Sequence, residues 1–280
     1  MATEARRERD VTVRGVRVRA IEAGSPDAPP LLLIHGFIVN HSEFDDIIEP
    51  LAERYHVIAP DLPGFGDSEK PSPSRYPYGI DGFSESVADL MAAFGIGRAK
   101  VLGHSMGGGV ALTLAAHHAE LVDRLVLVDS LSYPFPLSFK ARLPLLPVVG
   151  GIIFKQLYGR SLFRAYFRDD VFSKEATLPL DRIDKAYDKF NGPAARESAF
   201  AVMHAILDTR PVVARIGRVR APTLIVWGRE DKIFPLANGQ RLARDINGAR
   251  LAVLESGHSP HEERPAEFVQ KILEFLGDNR

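Results

Sequence analysis

The chain has 280 residues and not one cysteine. Disulfides, thiolate catalysis and cysteine-ligated zinc are excluded at once. Neither charge is in excess: 35 basic side chains face 36 acidic ones, for a formal net charge of −1. That balance offers no electrostatic footprint for nucleic acid, and none is expected as a partner. Long apolar runs are also missing. The longest, from Leu143 to Phe154, is broken by two prolines and two glycines and falls short of the ~20 residues of a spanning helix. The start, M-A-T-E-A-R-R-E-R-D, is charged and carries no signal-peptide pattern. A cytoplasmic protein without a membrane span is the expectation. There is no phosphate-binding loop motif, and G-I-G-R-A-K (95–100) fails the dinucleotide pattern at its last position. No cofactor is expected. What is present, 45% hydrophobic and 25% charged residues, suits a globular protein long enough to bury a sizeable core.

The run V-T-V-R-G-V-R-V-R-A-I alternates apolar and polar residues around Gly15, which predicts two strands and a tight hairpin turn. Arg6, Arg7 and Arg9, interleaved with Glu4, Glu8 and Asp10, read as a solvated tail ahead of it. Six unbroken apolar runs follow: L-L-L-I-H-G, H-V-I-A-P-D, K-V-L-G-H-S, R-L-V-L-V-D, T-L-I-V-W-G and R-L-A-V-L-E. Continuous apolar runs of strand length imply burial on both faces, as in a parallel sheet between helix layers. Helical segments separate them. One begins after Ser42, read as its N-cap; others cover 83–94, 106–117, 236–246 and 265–276. The pattern predicts an α/β fold with a doubly wound, mostly parallel sheet. In the segment 61–68, Gly64 and Gly66 permit a tight loop, in which Asp67 and Ser68 can bond to backbone. From about 131 to 210 the strand rhythm stops, and aromatic-rich helical patterns replace it. The expected division is a core of 1–130 and 211–280 with a helical cap, 131–210, inserted after the strand ending near Asp129.

The chemistry centres on V-L-G-H-S-M-G-G-G-V (101–110). Ser105 ends an apolar strand run, and Met106 opens a helix. Gly103 and Gly107 flank it as G-x-S-x-G, the spacing of a serine displayed on a sharp strand-to-helix turn. The same turn puts the Met106 N–H at a helix N-terminus, where an oxyanion can sit. A bare serine needs a base, and the base needs a group to orient it. Asp231 lies just beyond the strand run ending at Gly228, and His258 just beyond Gly257. All three candidates thus fall in loops after strand runs, at the sheet edge where sites form. The second oxyanion donor is expected from the loop after L-L-L-I-H-G, as the N–H of Phe37. Several residues compete with this reading. Glu230 and Asp129 compete with Asp231 for the acid, and His261 competes with His258 for the base. H-S-P-H-E invites a metal reading that Pro260 opposes, and no metal is expected. His35 and His104 read as packed, hydrogen-bonded histidines. The insertion's aromatics, including Phe139, Phe154, Tyr158, Phe163, Phe167, Phe172 and Phe200, pack its own helices or wall an apolar pocket.

H-G-F (35–37), D-L-P-G-F-G-D-S (61–68), G-H-S-M-G-G (103–108), W-G-R-E-D-K-I-F-P (227–235) and G-H-S-P-H-E-E-R-P-A-E-F (257–268) together resemble the α/β-hydrolase superfamily, in its lid-bearing, esterase- or lipase-like serine branch. The resemblance implies Ser105 as nucleophile, His258 as general base and acid, and Asp231 as its orienting acid. It also implies Phe37 and Met106 backbone N–H groups as the oxyanion hole. A cofactor-free hydrolase acting through an acyl-enzyme on a small to medium apolar ester is the expected activity. Carbon–carbon bond hydrolysis of ring-cleavage products and lactone or thioester hydrolysis are the alternatives. They use the same three residues, although relatives of the carbon–carbon type often carry asparagine where His104 stands. A ligand-binding receptor on the same scaffold is the alternative from another class.

Overall fold

The computed structural model describes residues 6–135, 145–146 and 150–277. Strands β1 (Arg7–Val13) and β2 (Val16–Ala23) form the expected hairpin. Arg14 and Gly15 both adopt positive φ, 53° and 73°, the backbone that suits a two-residue hairpin turn. Then follow β3 (Pro30–Ile34), α1 (Asp45–Ala52), β4 (His56–Pro60), α2 (Ile80–Ala93), β5 (Ala99–His104), α3 (Met106–His117) and β6 (Val122–Val128). Beyond the insertion come β7 (Thr223–Gly228), a helix Leu236–Asp245, β8 (Arg250–Leu254) and helices Pro260–Glu263 and Pro265–Leu276. The eight strands form one sheet in the order β1-β2-β4-β3-β5-β6-β7-β8. Only the β1–β2 and β2–β4 pairs are antiparallel.

The unbroken apolar runs are explained by two cores, one on each face. On β5, Val101 faces one core and Leu102 the other. Along β6 and β7, Leu125, Leu127, Ile225 and Trp227 point one way, and Val126, Val128, Leu224 and Val226 the other. With period-two side chains and both faces covered, the later positions of β3 to β7 are buried, and polar side chains reach partial exposure only near strand starts, at Lys100, Asp123 and Arg124. Each of these strands ends at the same sheet edge, and the loops carrying residues 35–37, 104–106, 129–131, 228–234 and 256–259 gather there.

Three local expectations are corrected. Residues 7–10 are strand, not tail: Arg7 pairs with Glu22 and Asp10 with Arg19 along β1–β2. Arg19 binds Glu8 and, at 2.6 Å, Asp10, so the interleaved charges form cross-strand ion pairs. The helix after the loop 35–40 is capped by Asn40 rather than Ser42. The Asn40 side chain accepts the Ser42 N–H at 2.8 Å, and a 3₁₀ turn, His41–Phe44, precedes α1. In the loop 61–68, the Ser68 hydroxyl does bond to backbone, donating to the Asp61 carbonyl at 2.5 Å. The carboxylate that binds backbone there is that of Asp61, which accepts the Asp67 and His41 N–H groups.

Between β6 and β7 the described residues are helical: Gly150–Ile152 and a π-helical turn Ile153–Leu157, helices Arg160–Tyr166, Leu180–Phe190 and Pro193–Ile206, and short turns around them. The expected insertion of 131–210 includes 136–144 and 147–149, which lie outside the described residues, as does Phe139. Phe154, Phe163, Phe167 and Phe172 are buried and pack ring to ring, with centroids 5.1 Å apart for Phe163–Phe167 and 5.6 Å for both Phe163–Phe190 and Phe154–Phe190. The insertion therefore has an aromatic interior of its own. Polar contacts fasten it to the sheet layer. Arg182 bridges Asp46 (2.8 Å) and Glu262 (2.7 Å), and Lys189 pairs with the Asp67 side chain.

Leu102 sits fully buried on the central strand β5. Leu102→Ala is expected to cost about 2–5 kcal/mol in urea unfolding, the range for an uncollapsed core cavity. A loss below about 1 kcal/mol would contradict the two-core packing.

Candidate active site

Ser105 sits between β5 and α3 with φ 53° and ψ −117°. A non-glycine residue rarely adopts positive φ, and here the surrounding chain enforces it. The Ser105 N–H donates to the Val128 carbonyl at 2.9 Å, and its own carbonyl accepts from Leu131 at 2.8 Å. The flanking glycines are required by close approach. A Cβ on Gly103 would lie 2.2 Å from the Gly107 carbonyl oxygen, and one on Gly107 would lie 2.1 Å from that of Ile34. No side chain fits either position, which is the physical content of the G-x-S-x-G spacing.

The structure brings Ser105, His258 and Asp231 into one hydrogen-bonded line. The Ser105 Oγ–H donates to His258 Nε2 at 2.8 Å. His258 Nδ1–H donates to Asp231 Oδ2 at 2.9 Å. The other Asp231 oxygen accepts the N–H groups of Ile233 (2.8 Å) and Phe234 (2.9 Å). Burial pushes the Asp231 carboxyl up, but the His258 ring and these hydrogen bonds outweigh it and hold it below the usual range. Asp231 is thus a fixed anion that dictates the His258 tautomer. Phe234 covers the imidazole edge-on, with centroids 5.2 Å apart. The His258 backbone N–H donates to the Val171 carbonyl of the insertion at 2.7 Å. Glu263 accepts from both Gly257 (2.8 Å) and Ser173 (3.2 Å). The histidine loop is thereby seated against the helical insertion, and Ser105 is only 8% exposed.

Phe37 and Met106 fall beside the serine. Met106 is the first residue of α3, whose leading N–H groups have no intrahelical partner. Gly36, next to Phe37, lies so close that a Cβ there would be 3.3 Å from the Ser105 Cβ. His35 orders this loop: its Nδ1–H donates to the Gly36 carbonyl at 2.7 Å, and its Nε2 accepts the Leu62 N–H at 2.9 Å. Burial holds its pKa low.

The competing residues have other places. Glu230 is exposed. His261 is fully buried among Phe44, Phe268 and His104 and reaches neither Ser105 nor Asp231 by a hydrogen bond. The short helix begins at Pro260, so the proline starts a helix that excludes His258. Asp129 directly follows β6, with φ 40°, and is fully buried. One of its oxygens accepts the Gly228 N–H at 2.9 Å, and it lies within 4.8 Å of the Asp231 carboxylate and the His258 ring. Burial first, and the Asp231 charge second, raise its pKa well above the usual carboxylate range. Beside the Asp231 anion, the Asp129 carboxyl is thereby pushed toward its protonated form. Among the described residues, two clusters bring three potential metal donors together: Glu43–His104–His261 and Asp129–Asp231–His258. In each, one histidine has both ring nitrogens engaged by protein atoms: His104 with Glu43 and the His258 carbonyl, His258 with Asp231 and Ser105. Asp129 is legible as a strand-end acid, but Glu43 carries no local sequence signal that predicts its place here.

Among the described residues no helix is long and apolar enough to cross a membrane. A family profile described as alpha/beta hydrolase fold matches residues 29–151 and 154–265. The 2-hydroxymuconate semialdehyde hydrolase of Pseudomonas sp. (strain CF600) is 31% identical over 281 residues, covering 96% of this chain and 94% of that protein. The crystal structure of a membrane phospholipase A, a novel bacterial virulence factor, matches with a TM-score of 0.81 at 31% identity, covering 97% and 86% of the two chains. The 2-hydroxy-6-oxo-6-phenylhexa-2,4-dienoate hydrolase from Rhodococcus sp. strain RHA1 matches with a TM-score of 0.84 at 26% identity, covering 98% and 99%.

The Asp129 proton has a measurable consequence. A folded-state pKa raised above the unfolded value means the native state binds the extra proton, so stability falls as pH rises past the ordinary aspartate value. An asparagine side chain in its place cannot titrate and keeps an acceptor for the Gly228 N–H. Relative to the wild type, Asp129→Asn is expected to gain stability between about pH 4 and pH 8, read from urea midpoints at both ends. A gap that stays flat across this window would mean that Asp129 is ionised in the fold.

Proposed function

The chain belongs to the α/β-hydrolase fold family, and from that premise we propose that it is a serine hydrolase that cleaves a carboxylic ester through an acyl-enzyme on Ser105. The observation that carries this reading is the continuous line from Ser105 Oγ through the His258 ring to Asp231. Ser105 Oγ attacks the acyl carbon while His258 Nε2 takes its proton. The carbonyl π electrons move onto oxygen, and the N–H groups of Phe37 and Met106 receive the resulting oxyanion. Collapse of the intermediate expels the alkoxide, which takes the proton from His258 and leaves as alcohol. Water, deprotonated by the same nitrogen, attacks the acyl-enzyme, and Ser105 regains its proton as the acid departs. Asp231 remains an anion throughout and stabilises the imidazolium of each half-reaction. The cycle balances in atoms and electrons without a cofactor.

The helical insertion acts as a cap, with residues 131–210 expected to supply an apolar wall for a small to medium substrate. The likeness to a protein named membrane phospholipase A supports the ester reading. A second reading has its own support: the 31% identical 2-hydroxymuconate semialdehyde hydrolase favours hydrolysis of a carbon–carbon bond in a ring-cleavage product. Lactones and thioesters fall within the same chemistry.

The test is turnover of p-nitrophenyl esters of increasing acyl length and of ring-cleavage dienones, beside Ser105→Ala. Ester turnover that falls roughly a thousandfold or more in the variant is expected. Dienone turnover with inert esters would move the assignment to the carbon–carbon reading. Tight binding of such molecules with no turnover would make the chain a receptor instead.

A further inference from the structure

We propose that Glu43 and His104 are positioning residues: a buried carboxylate–imidazolium clamp that ties the loop of Gly36 and Phe37 to the main chain of His258, directly behind the nucleophile. The proposal rests on the reading of Ser105 and His258 given above. The contacts form an unbroken chain. The Gly36 N–H donates to Glu43 Oε1 at 3.0 Å. The second Glu43 oxygen meets His104 Nδ1 at 3.1 Å. His104 Nε2 meets the carbonyl of His258 at 2.8 Å. His104 is the residue immediately before Ser105. Three loops from three strand ends, those of β3, β5 and β8, are therefore joined through two side chains.

Hydrogen-bond chemistry fixes the protonation of this pair. A carbonyl oxygen only accepts, so His104 Nε2 carries a proton. Glu43 is committed as an acceptor to Gly36, and its second oxygen faces Nδ1. One proton lies between the carboxylate and the ring, and the imidazole is the stronger base. His104 is then an imidazolium donating from both nitrogens. Burial opposes that charge, but Glu43, the His258 carbonyl and Glu262 outweigh it and raise its pKa. Other titratable groups face the ring. His261 packs against it with centroids 4.5 Å apart. Its own two nitrogens are buried without hydrogen-bond partners, and it stays neutral. Glu262 is itself paired with Arg182, and the His258 ring lies 5.1 Å away.

Stability does not explain this arrangement. Both side chains are 5% exposed or less, and a buried ion pair contributes little net stability compared with apolar residues of the same volume. What it supplies is geometry. An oxyanion donor and a general base on separate loops must hold a fixed distance from one Oγ, and a displacement near 1 Å costs up to about 100-fold in rate. The clamp sets both loops against the residue that precedes that Oγ.

The experiment joins spectroscopy to kinetics. In the wild type, ¹⁵N resonances of the His104 ring are expected to show both nitrogens protonated from about pH 6 to pH 8, across the range where free histidine loses its charge. Glu43→Ala is expected to lower kcat by ~10- to 100-fold with KM little changed. Glu43→Gln can still accept from Gly36 and can donate to Nδ1. It should restore most of kcat while the His104 ring turns neutral, with its proton on Nε2. If Glu43→Ala does not fold, His104→Asn, which breaks the link to Glu43, is expected to show the same kcat loss. A neutral His104 in the wild type overturns the clamp. So does a wild-type kcat in Glu43→Ala, or a loss that glutamine does not restore. Failure of the hydrolase reading is distinct: it appears as activity indifferent to Ser105→Ala, and the ring resonances then still decide the clamp.

Discussion

The left-handed backbone at Ser105 is the constraint on which the rest of the molecule depends. A residue held at positive φ is costly in isolation, and here its N–H and carbonyl are both taken by neighbouring chain, from Val128 and Leu131. The turn exists only because β5 and α3 approach so closely that Gly103 and Gly107 have no room for a side chain. That approach needs β3 and β6 as rigid neighbours, and their rigidity comes from apolar packing on both faces of the sheet. The two hydrophobic cores and the placement of one hydroxyl are therefore parts of one arrangement.

Around that hydroxyl the protein places more charge than the chemistry requires. Asp231 is favoured as the anion and Asp129 beside it as the neutral acid, separated in behaviour by burial and by their different hydrogen-bond partners. His258 holds the tautomer that Asp231 sets, while His104, one residue from the nucleophile, faces a carboxylate and a carbonyl instead of the serine hydroxyl. The helical insertion joins this network through main chain: Val171 accepts from His258, and Glu263 links Ser173 to Gly257. The seating of the insertion and the position of the base are therefore linked through the same peptide groups.

Much of this is legible in the residues. The strand runs of β3 to β7 fall where the apolar pattern predicts, since burial on both faces leaves a continuous signature, and β8 carries the same apolar pattern although it is only half-buried. Met106–His117 and Pro265–Leu276 match their predicted spans because a strained serine and a first-turn proline mark their starts. Ser105, Asp231 and His258 stand out because each follows a strand run, which places all three at one edge of the sheet. The departures are equally physical. Residues 7–10 read as a charged tail because alternating charges look the same on a solvated coil and on an edge strand; only the partner β2 decides. Ser42 and Asn40 are both sound caps, and the extra 3₁₀ turn selects the earlier one.

The sequence by itself determined the periodicities, the glycines that a close approach demands, and the order in which serine, acid and histidine appear. These are local properties, set by side-chain volume and by which face each residue must bury. Which acid meets His258, which keeps its proton, and that Glu43 reaches across to His104 were decided only by the tertiary structure. Those outcomes depend on distances between loops far apart in the chain and on how deeply each charge is buried, and neither quantity exists until the sheet has closed around them.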